Sequence, residues 1–381
     1  MITANRLHSV EEYYFSKKLR EVALLKAQGK PVINLGIGSP DLPPPPSVVE
    51  ALNNALTSKN AHQYQPYKGV DALRHGISDF YKTYYGVNVD PHSQILPLMG
   101  SKEGILHISM AFLNKGDEVL LPNPGYPTYS SVTKLLEAET RFYPLSEESN
   151  WMPDLKKLAE EDLSKVKIMW VNYPNMPTGA TAKADLFAEL TEFAEAHKIL
   201  VVNDNPYSFI QNSNPQSIFR GSKISDYVME LNSLSKSFNM AGWRVGMLIG
   251  SEKNINSVLK VKSNMDSGMF YPIQAGAIAA LSLSEDWFEG INQVYTRRKK
   301  LVHELAVKLD CTVPPNQVGL FVWAKIPKNT TTEKLVDSLL YEKDLFITPG
   351  FIFGSQGDGY VRFSLCADEE TIQTAINRIN E

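Results

Sequence analysis

Apolar positions along the chain switch between two periods, and the switches mark the elements. Tyr14, Leu19, Val22 and Leu25 recur at helical spacing, which predicts an amphipathic helix from about Glu11 to Gln28, stopped by Gly29. A short strand, PVINLG, follows and ends in the turn GIGSPD. Pro43 to Pro46 then stiffen a connection into a helix over Val48 to Leu56. From Ser93 to about Gly250, short apolar runs alternate with helical stretches. QILPL precedes GSKEGILHISMAFL, EVLLP precedes a turn and TYSSVTKLL, and KIMWV, ILVVND, YVMEL and VGMLIG continue the series. Continuously apolar strands separated by helices predict an α/β fold, with a mainly parallel sheet covered by helices on both faces.

Beyond a helix from Trp287 to Leu309 the pattern changes. GLFVWAKI and YVRFSLC alternate like strands with one covered face, accompanied by helices at Thr332 to Tyr341 and Glu369 to Ile379. These features predict a smaller α+β domain. The expected division is a large domain over residues 46–285 and a small one made from 1–45 with 286–381. A length of 381 residues agrees with two domains.

Composition narrows the function. Thirty-eight basic against 42 acidic residues leave a net charge of −4, without the basic excess that nucleic acid or an anionic membrane demands. No apolar run reaches the ~18 residues of a membrane span, and the first twenty residues carry charge where a signal peptide needs an apolar stretch. The expectation is a cytoplasmic protein. Two cysteines, Cys311 and Cys366, make neither a disulfide framework nor a four-thiolate metal site. The seven histidines lack H-E-x-x-H, so no metal is expected, and the nucleotide-binding loops and G-x-S-x-G are missing.

Unusual polar residues collect after the predicted strands, where open parallel sheets bind ligands. Ser101, Lys102 and Gly104 open a helix after QILPL, so backbone N–H groups and the helix dipole are available to an anion; an ordinary Ser101 cap is the plainer reading. Asp204 ends the buried run ILVVN and needs a cation or donors, or else caps a turn. Lys236 lies in NSLSKSFNMAGWRVG between two apolar strands; desolvated beside cations, its neutral amine becomes a nucleophile capable of a Schiff base. Alternation puts Arg362 opposite Val361, Phe363 and Leu365, on the solvent side of a strand, although its guanidinium suits a carboxylate. Together these are the parts that pyridoxal 5′-phosphate requires: an amine, an acid for the ring nitrogen, an anion cradle and an aromatic cover.

Over essentially the whole chain, the sequence resembles the class I/II aminotransferases of the fold-type-I pyridoxal-phosphate group, nearest to the aspartate and LL-diaminopimelate branches. SLSKSFNMAGWRVG is similar to the family's lysine signature. It implies that Lys236 holds the cofactor through an imine, while Ser233 and Arg244 contact its phosphate. NDNPY resembles D-x-x-Y, implying Asp204 at the pyridine nitrogen and Tyr207 at the ring hydroxyl. GSKEG looks like the phosphate loop, with Ser101 and Lys102; NPGYPTY supplies Tyr126 to stack on the ring. YQPYKGVDALR implies that Tyr64 reaches the phosphate across the interface of a homodimer with shared active sites. GIGSPD implies Gly38 near the substrate carboxylate and YVRFSL implies Arg362 as its anchor.

One position departs from the pattern. The family's N-P-T-G reads M-P-T-G, so Met176 replaces an asparagine that bonds the ring hydroxyl, and a thioether offers no donor. Asn175, one residue earlier, is the candidate to take over through a local shift. The resemblance implies amino-group transfer between an L-amino acid and a 2-oxo acid, with dicarboxylic substrates and 2-oxoglutarate first. A C–S β-lyase on the same fold and a non-catalytic cofactor-binding regulator remain alternatives. The regulator is disfavoured because only about thirty residues, without a basic helix-turn-helix pattern, precede PVINLG.

Overall fold

The computed structural model describes residues 3–10, 12 and 14–380. In chain order its strands are β1 (Ile33–Asn34), β2 (Ile95–Leu98), β3 (Glu118–Asn123), β4 (Glu139–Pro144), β5 (Val166–Val171) and β6 (Leu200–Asp204). There follow β7 (Val228–Ser233), β8 (Gly246–Ile249), β9 (Phe321–Lys325), β10 (Leu345–Phe346), β11 (Thr348–Pro349) and β12 (Tyr360–Ser364). A seven-stranded sheet runs β2-β8-β7-β6-β5-β3-β4, parallel at every step except that β8 runs against both β2 and β7.

Alternate residues of these strands feed two cores. Val119, Leu121, Ile168, Trp170 and Val202 join one cluster with Ile105 and Ile108 of the helix Ser101–Phe112 and Val258 of the helix Glu252–Lys262. Leu120, Met169, Val171 and Val201 join the other, with Leu73 and Ile77 of the helix Asp71–Phe80 and Leu190 of the helix Leu186–His197. Burial on both faces is why these strands read as unbroken apolar runs. The edge strand β4, ETRFYP, is largely open and polar, so no such run announces it. The helix Tyr271–Leu281 is apolar around most of its circumference and shows no helical stripe.

A three-stranded antiparallel sheet, β11-β12-β9, and a parallel pair, β1-β10, form the second strand system. The long helix Glu285–Lys308 and the helices Thr332–Glu342 and Glu369–Asn380 match the predicted ones within two residues. The N-terminal helix spans Tyr14–Ala27; its expected start, Glu11, lies outside the described residues. The solvent-side placement of Arg362 is overturned: every residue of β12 is buried, and Arg362 is 6% exposed. The chain leaving β1 covers that face, with Ser364 N donating to Leu35 O and Arg362 to Gly36 O.

Strand direction places the chemistry. β2, β3, β5, β6 and β7 all point the same way, so their carboxyl ends share one edge, the ligand-binding edge of an open α/β sheet.

Candidate active site

Asp204 closes β6 at that edge, 5% exposed. Its Oδ2 accepts the Tyr129 hydroxyl at 2.8 Å and its backbone oxygen accepts from the Asn172 amide, but Oδ1 has no partner. Burial pushes the carboxyl up to about 7, against the opposing pull of the Tyr129 hydrogen bond. Tyr129 is held in turn by stacking on Trp170, with ring centroids 4.9 Å apart. Tyr126 meets Tyr129 edge-on at 5.6 Å, which places the predicted aromatic cover beside the predicted acid.

Lys236 follows β7 and donates from Nζ to Gly38 O at 2.7 Å. Burial lowers its pKa, and the Arg362 and Arg244 cations lower it further, against an opposing effect of Cys366. The lysine is therefore pushed toward the neutral amine that nucleophilic attack requires. Gly38 has no room for a side chain: a Cβ would lie 2.1 Å from the Phe321 ring. Glycine here lets the backbone pass between Lys236 and the aromatic wall.

Arg362 lies between two phenyl rings, its guanidinium carbon 3.9 Å from the Phe321 centroid and 4.6 Å from that of Phe353. It donates to Gly36 O at 3.0 Å and to Met176 Sδ at 3.3 Å, while its Nε has no partner. Burial brings its pKa down to about 10, so it stays charged at neutral pH. A thioether is a weak acceptor, which leaves the Nη1 side of the fork free to exchange Met176 for a carboxylate. Tyr207, buried edge-on against Phe321, has its phenol raised by burial and countered by Arg362.

The other side of the cluster brings the Arg244 guanidinium against the start of a helix. Gly100 adopts φ +94°, and a Cβ there would lie 2.1 Å from an Arg244 guanidinium nitrogen. At Gly246 a Cβ would sit 2.6 Å from the Ser101 N–H nitrogen. Arg244 and the first turn of the helix Ser101–Phe112 are thus packed backbone to guanidinium. Ser233 donates to Ser235 Oγ at 2.8 Å and accepts from the Ser235 N–H, which tightens the turn leading to Lys236. Lys102 projects from the same helix start.

Two predicted residues stand apart. Asn175 is spent on its own turn: its oxygen accepts the Thr178 hydroxyl at 2.7 Å and its amide donates to Asn172 O. The local shift that would bring it into the cluster is not seen. Tyr64 is 90% exposed. Sequence reasoning missed Asn172, which supports both the Asp204 backbone and the Met176 N–H, the latter at 2.7 Å. It also missed Tyr129, the closing residue of NPGYPTY. The buried acid's need for a donor was the available signal for Tyr129.

Lys236, Asp204 and Arg244 at the edge of the large sheet thus meet Arg362, which comes from β12 of the other sheet. The pattern of aminotransferase class I and II matches residues 30–379, and the chain belongs to that family. It is an aminotransferase, moving an amino group between an amino acid and an oxo acid. It is 37% identical over 381 residues to the LL-diaminopimelate aminotransferase of Dehalococcoides mccartyi, covering 100% of this chain and 98% of that one. The Aquifex aeolicus enzyme of the same name is also 37% identical, over 99% of this chain and 98% of its own. Among solved structures, substrate-bound BacF from Bacillus subtilis superposes with a TM-score of 0.94 at 34% identity, covering 100% of this chain and 97% of that one.

Proposed function

We propose that this site carries pyridoxal 5′-phosphate and transfers the amino group of a dicarboxylic L-amino acid to 2-oxoglutarate. The unpaired Oδ1 of Asp204 carries the proposal. A buried carboxylate lacking a cation is costly, and a protonated pyridine nitrogen supplies the cation it lacks. When bound, the cofactor supplies an aldehyde for amines and a cationic ring that withdraws electrons from the substrate Cα.

The residues divide the remaining work. Asp204 keeps the ring-nitrogen proton in place, and Tyr207 bonds the ring hydroxyl. Ser101, Lys102, Ser233 and Arg244 hold the phosphate, with Tyr126 covering the ring. Lys236 would hold the cofactor through Nζ, and its free amine would serve as the base for the substrate Cα proton. Its lowered pKa supports the second role. Arg362 fixes the substrate carboxylate beside Gly38, whose carbonyl already holds the lysine at 2.7 Å.

Several coarser features belong to the same proposal. Residues 46–285 form the cofactor-binding domain, and 1–45 with 286–381 the small one; the division is supported by strand membership, since β2–β8 fall in the first and the other strands in the second. Tyr64 completes the anion site of a second copy in a homodimer, in keeping with its exposure. A cytoplasmic location suits two unbridged cysteines, Cys311 and Cys366. The relatives' diaminopimelate, itself a dicarboxylate, supports the substrate class. A panel of amino donors assayed with 2-oxoglutarate tests it: dicarboxylic donors should give the highest kcat/KM, and a preference for apolar donors would refute the choice.

A further inference from the structure

A partly buried cluster of titratable side chains begins in the first turn of the helix Ser101–Phe112 and includes none of the groups described so far. Glu103, in the first turn of the helix Ser101–Phe112, accepts the Met99 N–H through Oε2 at 2.9 Å. This bond closes the loop Met99–Ser101 around Gly100, the residue packed on Arg244. The other oxygen of Glu103 lies 3.2 Å from Nε2 of His107, a side chain 1% exposed whose ring nitrogens make no well-aligned hydrogen bond. Single ligand atoms of Glu103, His107 and Asp266 lie within 4.8 Å of one another. Asp266 is paired through Oδ1 with the buried Lys262 ammonium at 2.9 Å, and its Oδ2 has no partner. Lys262 also donates to Tyr67 O at 3.0 Å, three residues from Tyr64.

Two carboxylates and an imidazole at this spacing resemble a cation site, but Asp266, one of the two carboxylates, is already paired with the Lys262 ammonium. A divalent ion would sit beside a buried positive charge. These neighbours bear on Glu103, whose Oε1 lies against His107 while Oε2 accepts the Met99 N–H. We infer that Glu103, steered by His107 and the Asp266–Lys262 pair, is a positioning residue that pre-forms the loop for the cofactor's phosphate. The bond to Met99 N determines where the following N–H groups point. The cluster therefore acts on phosphate affinity rather than on the ring or the substrate. This inference rests on the cofactor reading above.

The test compares pyridoxal 5′-phosphate with pyridoxal, which lacks the phosphate, by fluorescence titration of cofactor-free wild type, Glu103→Ala, Glu103→Gln and His107→Leu. Glu103→Ala should weaken the phosphate-bearing ligand about tenfold and leave pyridoxal within about twofold, the loss expected for one hydrogen bond to a charged acceptor. Glu103→Gln, which keeps an oxygen for Met99 N, should recover most of that loss. His107→Leu should lose phosphate affinity in the same selective way; if it fails to fold, Glu103→Ala carries the test. Equal weakening of both ligands, or undiminished phosphate affinity in Glu103→Ala, overturns the inference. So does one divalent ion per chain in the purified wild type, measured by elemental analysis. A wild type that binds both ligands equally overturns the cofactor reading itself, and is told apart because it needs no variant.

Discussion

Asp204 shows how one buried atom sets a pH dependence. Its carboxyl, ordinarily near 4, is held at about 7 by burial in the cofactor-free chain. Between those values the folded protein keeps a proton that the unfolded chain has released. Stability from this group is therefore full below about pH 4 and lost as pH rises through about 7. Asp204→Asn removes that loss, so the cofactor-free variant should melt with a smaller drop between pH 5 and 8 than wild type. Over that window the difference amounts to roughly 2–3 kcal/mol. Equal drops would contradict it. In turnover the same variant should be slower by about a hundredfold or more, because its amide cannot hold the ring positive. At Met176, Asn offers the donor that the thioether lacks. Met176→Asn should lower the pH midpoint of the visible absorbance change of the loaded enzyme, and an unmoved midpoint would show that the position does not reach the ring hydroxyl.

Elements were legible where their two faces or their stripe were uniform. Runs such as KIMWV and ILVVND announce strands because both faces are buried. β4 escaped because an edge strand exposes Glu139 and much of Phe142. The reversal of β8 was equally hidden, since direction leaves no mark on an apolar tetrapeptide. Of the site, Lys236, Asp204 and Arg244 could be read from short motifs. Their supports could not: the Tyr129 bond to Asp204 spans 75 residues. Arg362 was misplaced by alternation for the same reason, because a distant segment covers its face. The loop before the helix Ser101–Phe112 gives a prediction at this scale. Gly100→Ala must place a methyl on Arg244 at a positive φ. It should destabilise the protein by about 1–3 kcal/mol and weaken cofactor binding. Denaturant titration and cofactor titration check the two parts.

At the scale of the molecule, two strand systems meet where Gly36–Gly38 threads between Lys236 and Arg362. The large sheet's edge supplies Lys236, Asp204 and Arg244, and β12 supplies Arg362. If Tyr64 serves a second copy, Lys236→Ala and Tyr64→Ala subunits should complement. The mixed dimer then holds one site with both residues intact, and mixing two weak variants should restore up to about a quarter of wild-type activity by random pairing. Activity no greater than the average of the two would place Tyr64 outside the partner's site. The most direct measurement is a single half-reaction. Cofactor-loaded wild type mixed with an amino donor, and no acceptor, should lose its visible absorbance and release one 2-oxo acid per chain. Lys236→Ala should do neither at a comparable rate, and a variant that matched wild type in both would contradict the account.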